Sequence, residues 1–354
     1  KHEQFFNIIN YLQEGDLLVW NNTKVFKARL RGKVLLDENV MTKHASVKDG
    51  KPLLASPWKE EGVTGKILNM PEVEIFLVRP MENKFVWKAL AKPGKKLRLG
   101  MKVKFSDDFV GEVMLKEDDG TILMQFADDD AVVRAKANEY GVIPTPPYIK
   151  AVVRSPSTVA SKQTTDHRLQ QISERYQTVY AKHEGSVAAP TAGFHFTPEL
   201  IEKLEKKGVQ FAEVTLHVGL GTFLPVKTDK VEEHIMHSEQ VELTAKNADL
   251  INQAKAEGRR VVVIGTTTAR ALEGIVEKFS SLQSFVGDIN IFITPGFHFK
   301  IVDALITNFH LPKSTLLMLV SAFAGDREFI LECYKKAIED KYRFYSFGDA
   351  MLIK

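Results

Sequence analysis

The chain has 354 residues, of which 44% are hydrophobic and 26% charged, and its formal net charge is +3. This length predicts two domains, and so small a net charge gives no argument by itself for nucleic-acid binding. The single cysteine, Cys333, excludes an internal disulfide framework, a cysteine-rich zinc site and a three-cysteine iron–sulfur motif. A reducing, cytoplasmic location is expected. No stretch approaches the ~20 apolar residues of a membrane span, and the first residues do not resemble a signal peptide.

The N-terminal elements are predicted to be short. Residues 7–13 end a helix, 16–20 form an apolar strand, 21–23 form a turn, and 25–30 alternate apolar and basic side chains as a half-buried strand does. The basic residues in and beside this last stretch are Lys24, Lys27, Arg29, Arg31 and Lys33. They could face phosphate groups, although a solvated strand face, or protection of a sheet edge by lysine, is the commoner explanation.

The next hundred residues predict a small β-domain. Residues 34–70 have few clear periods and are interpreted as an insertion. Between 72 and 127, short apolar stretches alternate with turn signals, which is the spacing of a small antiparallel barrel or sandwich. A helix is predicted at 131–140. The proline-rich segment after it is either a linker or a stiff wall that carries Tyr148 to a site.

Residues 187–239 concentrate side chains suited to proton transfer and close approach of a ligand. The histidines of this stretch are His195, His217, His234 and His237, and its turn-like glycines are Gly193, Gly219 and Gly221. His234 and His237 have a spacing that can bind a metal, but no third ligand is evident. Acid–base catalysis, or contact with a substrate hydroxyl, therefore remains open. A lone G-x-G such as Gly219-x-Gly221 is common in tight turns. Only its neighbours His217, Thr222 and Phe223 favour a functional role for it.

After Glu239 the pattern becomes that of an α/β domain. A helix is predicted at 245–257, and a fully apolar strand at 260–264 indicates a sheet covered on both faces. The same apolar form recurs at 290–293, 304–307 and 316–320. The last long helix is predicted at 328–339.

Polar residues follow two of these strands, where open α/β sheets bind ligands. Thr266 and Thr267 open a helix whose free N–H groups would attract an anion, although a threonine could simply cap the helix. Arg270 could clamp a carboxylate or form a surface ion pair. Asn308 and His310 follow the strand at 304–307, and a core histidine is an equally good interpretation of the latter. No G-x-S-x-G, Walker or H-E-x-x-H motif is present.

Several motifs together are far more specific than any one alone. They include A-A-P-T-A-G-F-H-F, T-L-H-V-G-L-G-T-F, E-E-H-I-M-H-S-E, V-I-G-T-T-T-A-R, T-N-F-H-L-P, Y-Q-T-V-Y and Y-R-F-Y-S-F-G-D-A-M-L-I. Through them, nearly the whole chain resembles the S-adenosylmethionine:tRNA ribosyltransferase-isomerase family of queuosine biosynthesis. Against the family pattern, residues 34–70 and 151–172 look longer than usual, and further residues are expected ahead of Lys1.

The resemblance implies that S-adenosylmethionine acts as a ribosyl donor. The implied acceptor is the aminomethyl group of 7-aminomethyl-7-deazaguanine at the tRNA wobble position, and epoxyqueuosine, adenine and methionine are the implied products. No metal or cofactor is expected, because S-adenosylmethionine is a substrate. The expected partners are that tRNA and S-adenosylmethionine, with no membrane and a monomeric chain.

The predicted fold is α/β, a three-layer α/β/α domain with a small antiparallel β-barrel domain inserted near the N-terminus. The catalytic α/β domain is assigned residues 1–24 and 131–354. The barrel domain is assigned residues 25–130, with 34–70 as its insertion.

The implied chemistry needs a base for the acidified 5′ C–H beside the sulfonium and an acid for departing adenine. We assign His217 or His195 as the base, with His234 and His237 as acid or ribose contacts. The predicted substrate-binding residues are Thr191, Gly193, Gly219, Gly221, Thr222, Phe223, Thr266, Thr267, Arg270, Asn308 and His310. Arg270, with the threonine loop before it, is the candidate for the methionine carboxylate. The predicted tRNA contacts are Lys24, Lys27, Arg29 and Arg31, since single-stranded RNA is bound through phosphate contacts and stacking.

Two other functions fit part of the sequence. A tRNA methyltransferase is the alternative enzyme, but the first strand–loop–helix lacks a G-x-G-x-G nucleotide loop. A non-catalytic RNA-binding protein built on the barrel is the alternative from another class. Histidines clustered at strand ends argue against it, because RNA binding uses arginine, lysine and aromatic residues more than imidazoles.

Overall fold

The structure is a computed structural model that describes residues 1–35, 72–117, 120–146, 175–219, 236 and 238–354. Its strands are β1 (Leu17–Asn21), β2 (Thr23–Val25), β3 (Arg29–Leu35), β4 (Val73–Pro80), β5 (Val86–Lys92), β6 (Lys102–Ser106), β7 (Phe109–Lys116), β8 (Ile122–Phe126), β9 (His183–Ser186), β10 (Gln210–His217), β11 (Glu239–Leu243), β12 (Val261–Ile264), β13 (Phe285–Ile289), β14 (Ala304–Asn308) and β15 (Ala350–Ile353). Its α-helices are α1 (Asp130–Tyr140), α2 (Pro198–Lys206), α3 (Ala245–Ala256), α4 (Thr266–Phe279), α5 (Thr315–Ala324) and α6 (Arg327–Glu339). Short 3₁₀ helices span Phe5–Asn10, Gly94–Lys96 and Thr191–His195.

The chain divides into two compact units. One comprises Lys1–Val25 with Thr145–Lys354, and the other comprises Phe26–Pro144. The sequence-based boundaries stand after residues 24 and 130, so α1 falls in the second unit of the structure. Within the described ranges, none of the helices combines the length and apolar composition of a membrane-spanning segment.

The first unit is built on a mixed sheet with the strand order β13-β11-β10-β1-β12-β14-β15. The central strands β10, β1, β12 and β14 are parallel, whereas β11, β13 and β15 pair antiparallel at the two sides. Strands β2 and β9 form a separate parallel pair. Because parallel central strands share one direction, their carboxyl ends all reach the same edge of the sheet.

Alternate residues of the central strands enter two different cores. Leu17 and Val19 pack with α3, α4, α5 and α6 on one face, while Leu18 and Trp20 pack with α2 and the N-terminal 3₁₀ helix on the other. Side chains of a strand alternate between its faces, so a fully apolar strand must be covered twice. Burying each such side chain contributes about 1.5–3 kcal/mol. The predicted three-layer α/β/α fold is confirmed.

The second unit is a closed antiparallel barrel with the strand order β3-β4-β5-β8-β7-β6. Along β3, Leu30, Gly32 and Val34 are buried inside while Arg31 and Lys33 are exposed, which is the alternation expected of a barrel wall. Helix α1 belongs to this unit and begins at Asp129, whose side chain accepts a hydrogen bond from the backbone N–H of Val132. The predicted barrel is confirmed.

Three predicted elements are wrong, and a fourth, the strand at 25–30, is interrupted because β2 ends at Val25 and β3 begins at Arg29. Residues 21–23 are not a turn, because the Asn21 side chain pairs with both the N–H and the C=O of Leu216 and carries the strand forward into β2. The predicted strand at 316–320 is helix α5, which is capped by the Ser314 side chain. The predicted strand at 290–293 is irregular, and the nearby strand β13 ends at Ile289.

Candidate functional site

The carboxyl ends of β10, β12 and β14 are followed by the segments that form a cavity. This is the position at which open α/β sheets bind ligands. The cavity has a volume of about 320 Å³. It is lined by Tyr176, residues 188–192, Val218, residues 265–267, residues 307–311, Ser314, Leu316, Tyr345 and Ser346. Since no Asp, Glu, Lys or Arg is among these lining residues, the cavity offers hydroxyl, amide, imidazole and aromatic groups.

One wall of the cavity is the start of α4. Gly265 adopts φ +85°, a conformation that glycine tolerates best, and its N–H donates to the Ile306 carbonyl at 2.8 Å. The Thr268 hydroxyl donates back to the Ile264 carbonyl at 2.7 Å. These bonds fix the turn from β12 into α4. Gly265 has no side chain to cap the helix, so the first N–H groups of α4 lack a side-chain acceptor.

Asn308 links the cavity to His195. The Nδ2 of Asn308 donates to the Tyr345 carbonyl at 2.9 Å, which identifies its Oδ1 as the atom 3.0 Å from His195 Nε2. An amide oxygen only accepts, so Nε2 carries the proton and Nδ1 keeps the lone pair. The His195 ring also stacks on Phe5. Burial lowers the pKa of His195, which leaves the imidazole neutral at pH 7.

His310 lines the cavity directly and is half-buried. Its Nε2 lies 2.9 Å from the Thr307 hydroxyl, and its backbone N–H donates to the Tyr334 hydroxyl at 3.1 Å. Burial lowers the pKa of His310 to about 4. The ring is therefore uncharged at neutral pH, and it suits hydrogen bonding to a ligand better than proton donation.

His217 lies at the end of β10 but outside the cavity. Its Nδ1 is 2.8 Å from the Thr23 hydroxyl. A Cβ on Gly185 would stand 2.6 Å from the ring, so only glycine leaves room for it there. The next residue, Val218, lines the cavity, and consecutive residues of a strand point to opposite faces.

Arg270 is held in a buried ion pair within the α/β unit. Its Nη1 lies 2.7 Å from Glu239 Oε2, and the two side chains are only 8% and 4% exposed. Arg270 is not among the residues that line the cavity. The side chain that the sequence offered as a carboxylate clamp thus joins α4 to β11.

Comparison with known proteins agrees with the motif pattern. The profile of a family described as Queuosine biosynthesis protein matches residues 1–353. The chain belongs to this family. The predicted resemblance is thereby confirmed over almost the whole chain.

Curated relatives in the queuosine biosynthesis family carry a common name. Proteins named S-adenosylmethionine:tRNA ribosyltransferase-isomerase from Thermotoga maritima and Finegoldia magna are 44% and 43% identical to this chain. The matches cover 100% and 99% of this chain, and 88% and 87% of those proteins. A crystal structure of S-adenosylmethionine tRNA ribosyltransferase from T. maritima is 33% identical with a TM-score of 0.46, and it covers 100% of this chain and 88% of that one.

Five of the predicted substrate-binding residues line the cavity. They are Thr191, Thr266, Thr267, Asn308 and His310. Gly193 and Gly219 do not line it, and a Cβ on Gly193 would stand 2.0 Å from the Tyr180 hydroxyl, which gives this glycine a packing role. The predicted residues outside the described ranges are Gly221, Thr222, Phe223, His234 and His237.

Other lining residues were missed, although the sequence contained a signal for them. Tyr176, Thr307, Ser314, Tyr345 and Ser346 border the cavity but were not predicted as site residues. Most of them fall inside motifs that carried the family resemblance, such as Y-R-F-Y-S-F-G-D-A-M-L-I. A motif shows that a segment matters, but the fold decides which of its side chains face a ligand.

The predicted tRNA contacts differ in their surroundings. Lys24, in the α/β unit, lies 3.8 Å from Glu184. In the barrel unit, Arg29 is half-buried and lies 3.7 Å from Glu74, whereas Lys27 and Arg31 are exposed. Strand β3 is paired on both sides within a closed barrel, so protection of a sheet edge does not explain its basic residues.

Proposed function

We propose that the chain is an S-adenosylmethionine:tRNA ribosyltransferase-isomerase acting on 7-aminomethyl-7-deazaguanine at the tRNA wobble position. The ribosyl carbons of S-adenosylmethionine become the epoxycyclopentane of epoxyqueuosine, bonded to the aminomethyl nitrogen. The carbon–sulfur bond to methionine and the glycosidic bond to adenine break. The amine and the ribosyl unit each lose one hydrogen, of which one ends on adenine and the other is released as a proton. No oxidant or reductant is consumed.

The observation that carries this proposal is the convergence of distant family motifs on one cavity. Thr191, Thr267, Asn308 and Tyr345 come from four separate motifs and line the same space at the carboxyl edge of the sheet. A volume of about 320 Å³ is within the range of small-molecule sites. The relatives' shared name supports S-adenosylmethionine as the small molecule and tRNA as the second substrate.

For the base that removes the 5′ proton, the geometry favours His195 over His217. His195 is not itself a lining residue, but it is neutral at pH 7, carries its lone pair on Nδ1, and is hydrogen-bonded to Asn308, which lines the cavity. Asn308 is then its positioning residue. His217 is the alternative base, and His234 and His237 remain the proposed acid or ribose contacts.

The test is to incubate the full chain with S-adenosylmethionine and tRNA carrying the aminomethyl-deazaguanine base, and to measure free adenine by chromatography. Adenine released only in the presence of that tRNA is the expected result, and the same tRNA with unmodified guanine is the control. S-adenosylhomocysteine in its place would indicate a methyltransferase. Neither product, with tRNA still bound, would indicate a binding protein.

A further inference from the structure

If the cavity binds S-adenosylmethionine as proposed, it must accommodate the methionine carboxylate. Among the residues that the structure describes, none that lines the cavity is Lys or Arg, and Arg270 is already paired with Glu239. A carboxylate taken out of water needs hydrogen-bond donors and positive potential. Of the described groups that line the cavity, backbone dipoles and hydroxyls can supply both.

In the described part of the chain, two α-helices begin at the cavity, and they differ in whether a side chain caps their first turn. At the start of α5, the Ser314 hydroxyl accepts the N–H of Leu317 at 3.3 Å and so caps that helix. At the start of α4, Gly265 provides no cap, and residues 265–267 line the cavity. The N-terminus of a helix carries about half a positive charge and points free N–H groups outward. The start of α4 therefore offers an anion uncommitted backbone donors.

A second, independent feature of this helix end is the side chain of Thr267. The residue is only 7% exposed and lines the cavity, yet its Oγ1 has no hydrogen-bond partner among the described residues. A Cβ built on Gly265 would stand 3.7 Å from this Oγ1, which places the hydroxyl over the end of the helix. Buried hydroxyls are nearly always bonded, so an unpaired one in a cavity wall indicates a ligand atom.

We propose that the start of α4 binds the methionine carboxylate of S-adenosylmethionine. The donors are the backbone N–H groups of Thr266 and Thr267 and the hydroxyl of Thr267. This subsite rests on the proposed function, because it takes S-adenosylmethionine as the occupant of the cavity. It keeps the threonine loop that the sequence suggested for the carboxylate together with Arg270, whereas Arg270 itself ties α4 to β11.

The experiment compares two ligands that differ only in the carboxylate, S-adenosylmethionine and its decarboxylated analogue. Their dissociation constants are measured by calorimetry on the wild type and on Thr267→Val, which removes the hydroxyl and keeps the shape. The wild type is expected to bind S-adenosylmethionine about 10-fold more tightly or better, as for hydrogen bonds to a charged group. Thr267→Val is expected to shrink this ratio by raising the dissociation constant of S-adenosylmethionine alone.

Two matched variants control for folding. Thr267→Ser keeps the hydroxyl and should keep the ratio. Ser321→Ala removes another buried hydroxyl, which does not line the cavity and which donates to the Leu317 carbonyl at 2.9 Å. This variant should also keep the affinity ratio of the two ligands. An unchanged ratio in Thr267→Val overturns the subsite.

The ligand comparison on the wild type needs no variant, so it stands even if a variant fails to fold. Equal affinity for the two ligands, with adenine still released from S-adenosylmethionine, overturns the subsite and leaves the proposed function intact. Binding of neither ligand, with no adenine released, overturns the proposed function together with the subsite.

Discussion

At the scale of single residues, Asn308 determines which nitrogen of His195 can act as a base. The carbonyl groups of Tyr345 and Ser346 accept hydrogen bonds from its Nδ2, and this leaves Oδ1 for the imidazole. Neighbouring carbonyls thus fix the amide, and the amide fixes the tautomer of the ring. Tyr345 and Ser346 lie far from His195 in sequence, so an Asn–His pair of this kind emerges only in the fold.

Replacing Asn308 with Ala is expected to lower kcat for adenine release and to move the acidic limb of the pH–rate profile to lower pH. The hydrogen bond that His195 donates to Asn308 opposes the effect of burial by raising the pKa of His195, so its loss lowers that pKa further. In a plot of kcat/KM against pH, the acidic limb reports the pKa of the base in the free enzyme. Thr23→Val, which removes the hydroxyl beside His217, is the matched variant. A limb that moves in Thr23→Val and not in Asn308→Ala would assign the base to His217.

His310 should make the stability of the chain depend on pH. Its pKa in the folded protein is about 4 against an ordinary value of 6.5, so between these values the unfolded chain binds a proton that the native protein does not. Stability is therefore full above pH 6.5 and falls as the pH drops towards 4, with a loss of about 2 kcal/mol by pH 5. Urea unfolding at pH 7.5 and pH 5 measures it. His310→Gln should show a smaller loss, and an equal loss in both proteins would contradict the assignment.

At the scale of elements, helix α4 is joined to strand β11 by the buried pair of Arg270 and Glu239. Arg270→Met would leave the Glu239 carboxylate buried without its partner, and it is expected to destabilise the protein by about 3–5 kcal/mol. The double variant Arg270→Met with Glu239→Leu should recover most of that loss, because it removes both charges. Urea unfolding of the three proteins gives the comparison.

The same variants separate two roles of Arg270. If the pair only joins α4 to β11, the double variant keeps its affinity for S-adenosylmethionine. If Arg270 contacts the methionine carboxylate, as the sequence suggested, the double variant is stable but binds S-adenosylmethionine weakly. Single variants as stable as the wild type would show that the pair contributes little to the fold.

Among the elements, uniformly apolar stretches were the least decisive, because 260–264 and 304–307 are strands as predicted whereas 316–320 is a helix. Helices α1 and α6 and the barrel strands follow clear periods. Residues 316–320 are apolar throughout, and such a run fits a buried strand and a buried helix equally well. The Ser314 cap, a local signal of a helix start, decides for α5 in the structure. Asn21 was assigned to a turn because its side chain supplies strand hydrogen bonds to Leu216, which the pattern of residue types does not reveal.

At the scale of the whole molecule, the sequence was sufficient for the fold class and for the segments of the site, but not for which residues face the cavity. Strand ends brought Thr267, Asn308 and His310 together as predicted, because parallel neighbours share one edge. Arg270 belongs to the same motif as Thr267, and His217 immediately precedes the lining residue Val218, yet neither lines the cavity. At a strand end, moving along the chain by one residue turns the side chain to the other face of the sheet, and a motif does not show which residue faces the cavity.

Of the four basic residues proposed as tRNA contacts, the two exposed ones of the barrel unit are the best candidates to bind a phosphate. Lys27 and Arg31 are exposed, and within the described part of the chain neither forms an ion pair with an acidic side chain. By contrast, Arg29 is half-buried beside Glu74, and Lys24 of the other unit has Glu184 within 4 Å. Cationic side chains held in ion pairs contribute less to phosphate binding. Lys27 and Arg31 are thus the two predicted contacts to test.

Reversing both charges, with Lys27→Glu and Arg31→Glu, is expected to weaken tRNA binding and to reduce its dependence on salt. Each phosphate contact contributes roughly 0.9 to the slope of log K against log salt for duplexes and somewhat less for single strands, so the slope should fall by about 1–2. Affinity for S-adenosylmethionine should not change. The control is Lys206→Glu with Lys336→Glu, which changes the net charge equally on helices of the α/β unit. If both double variants alter the slope alike, the effect reflects overall charge, and the barrel strand is not the tRNA contact.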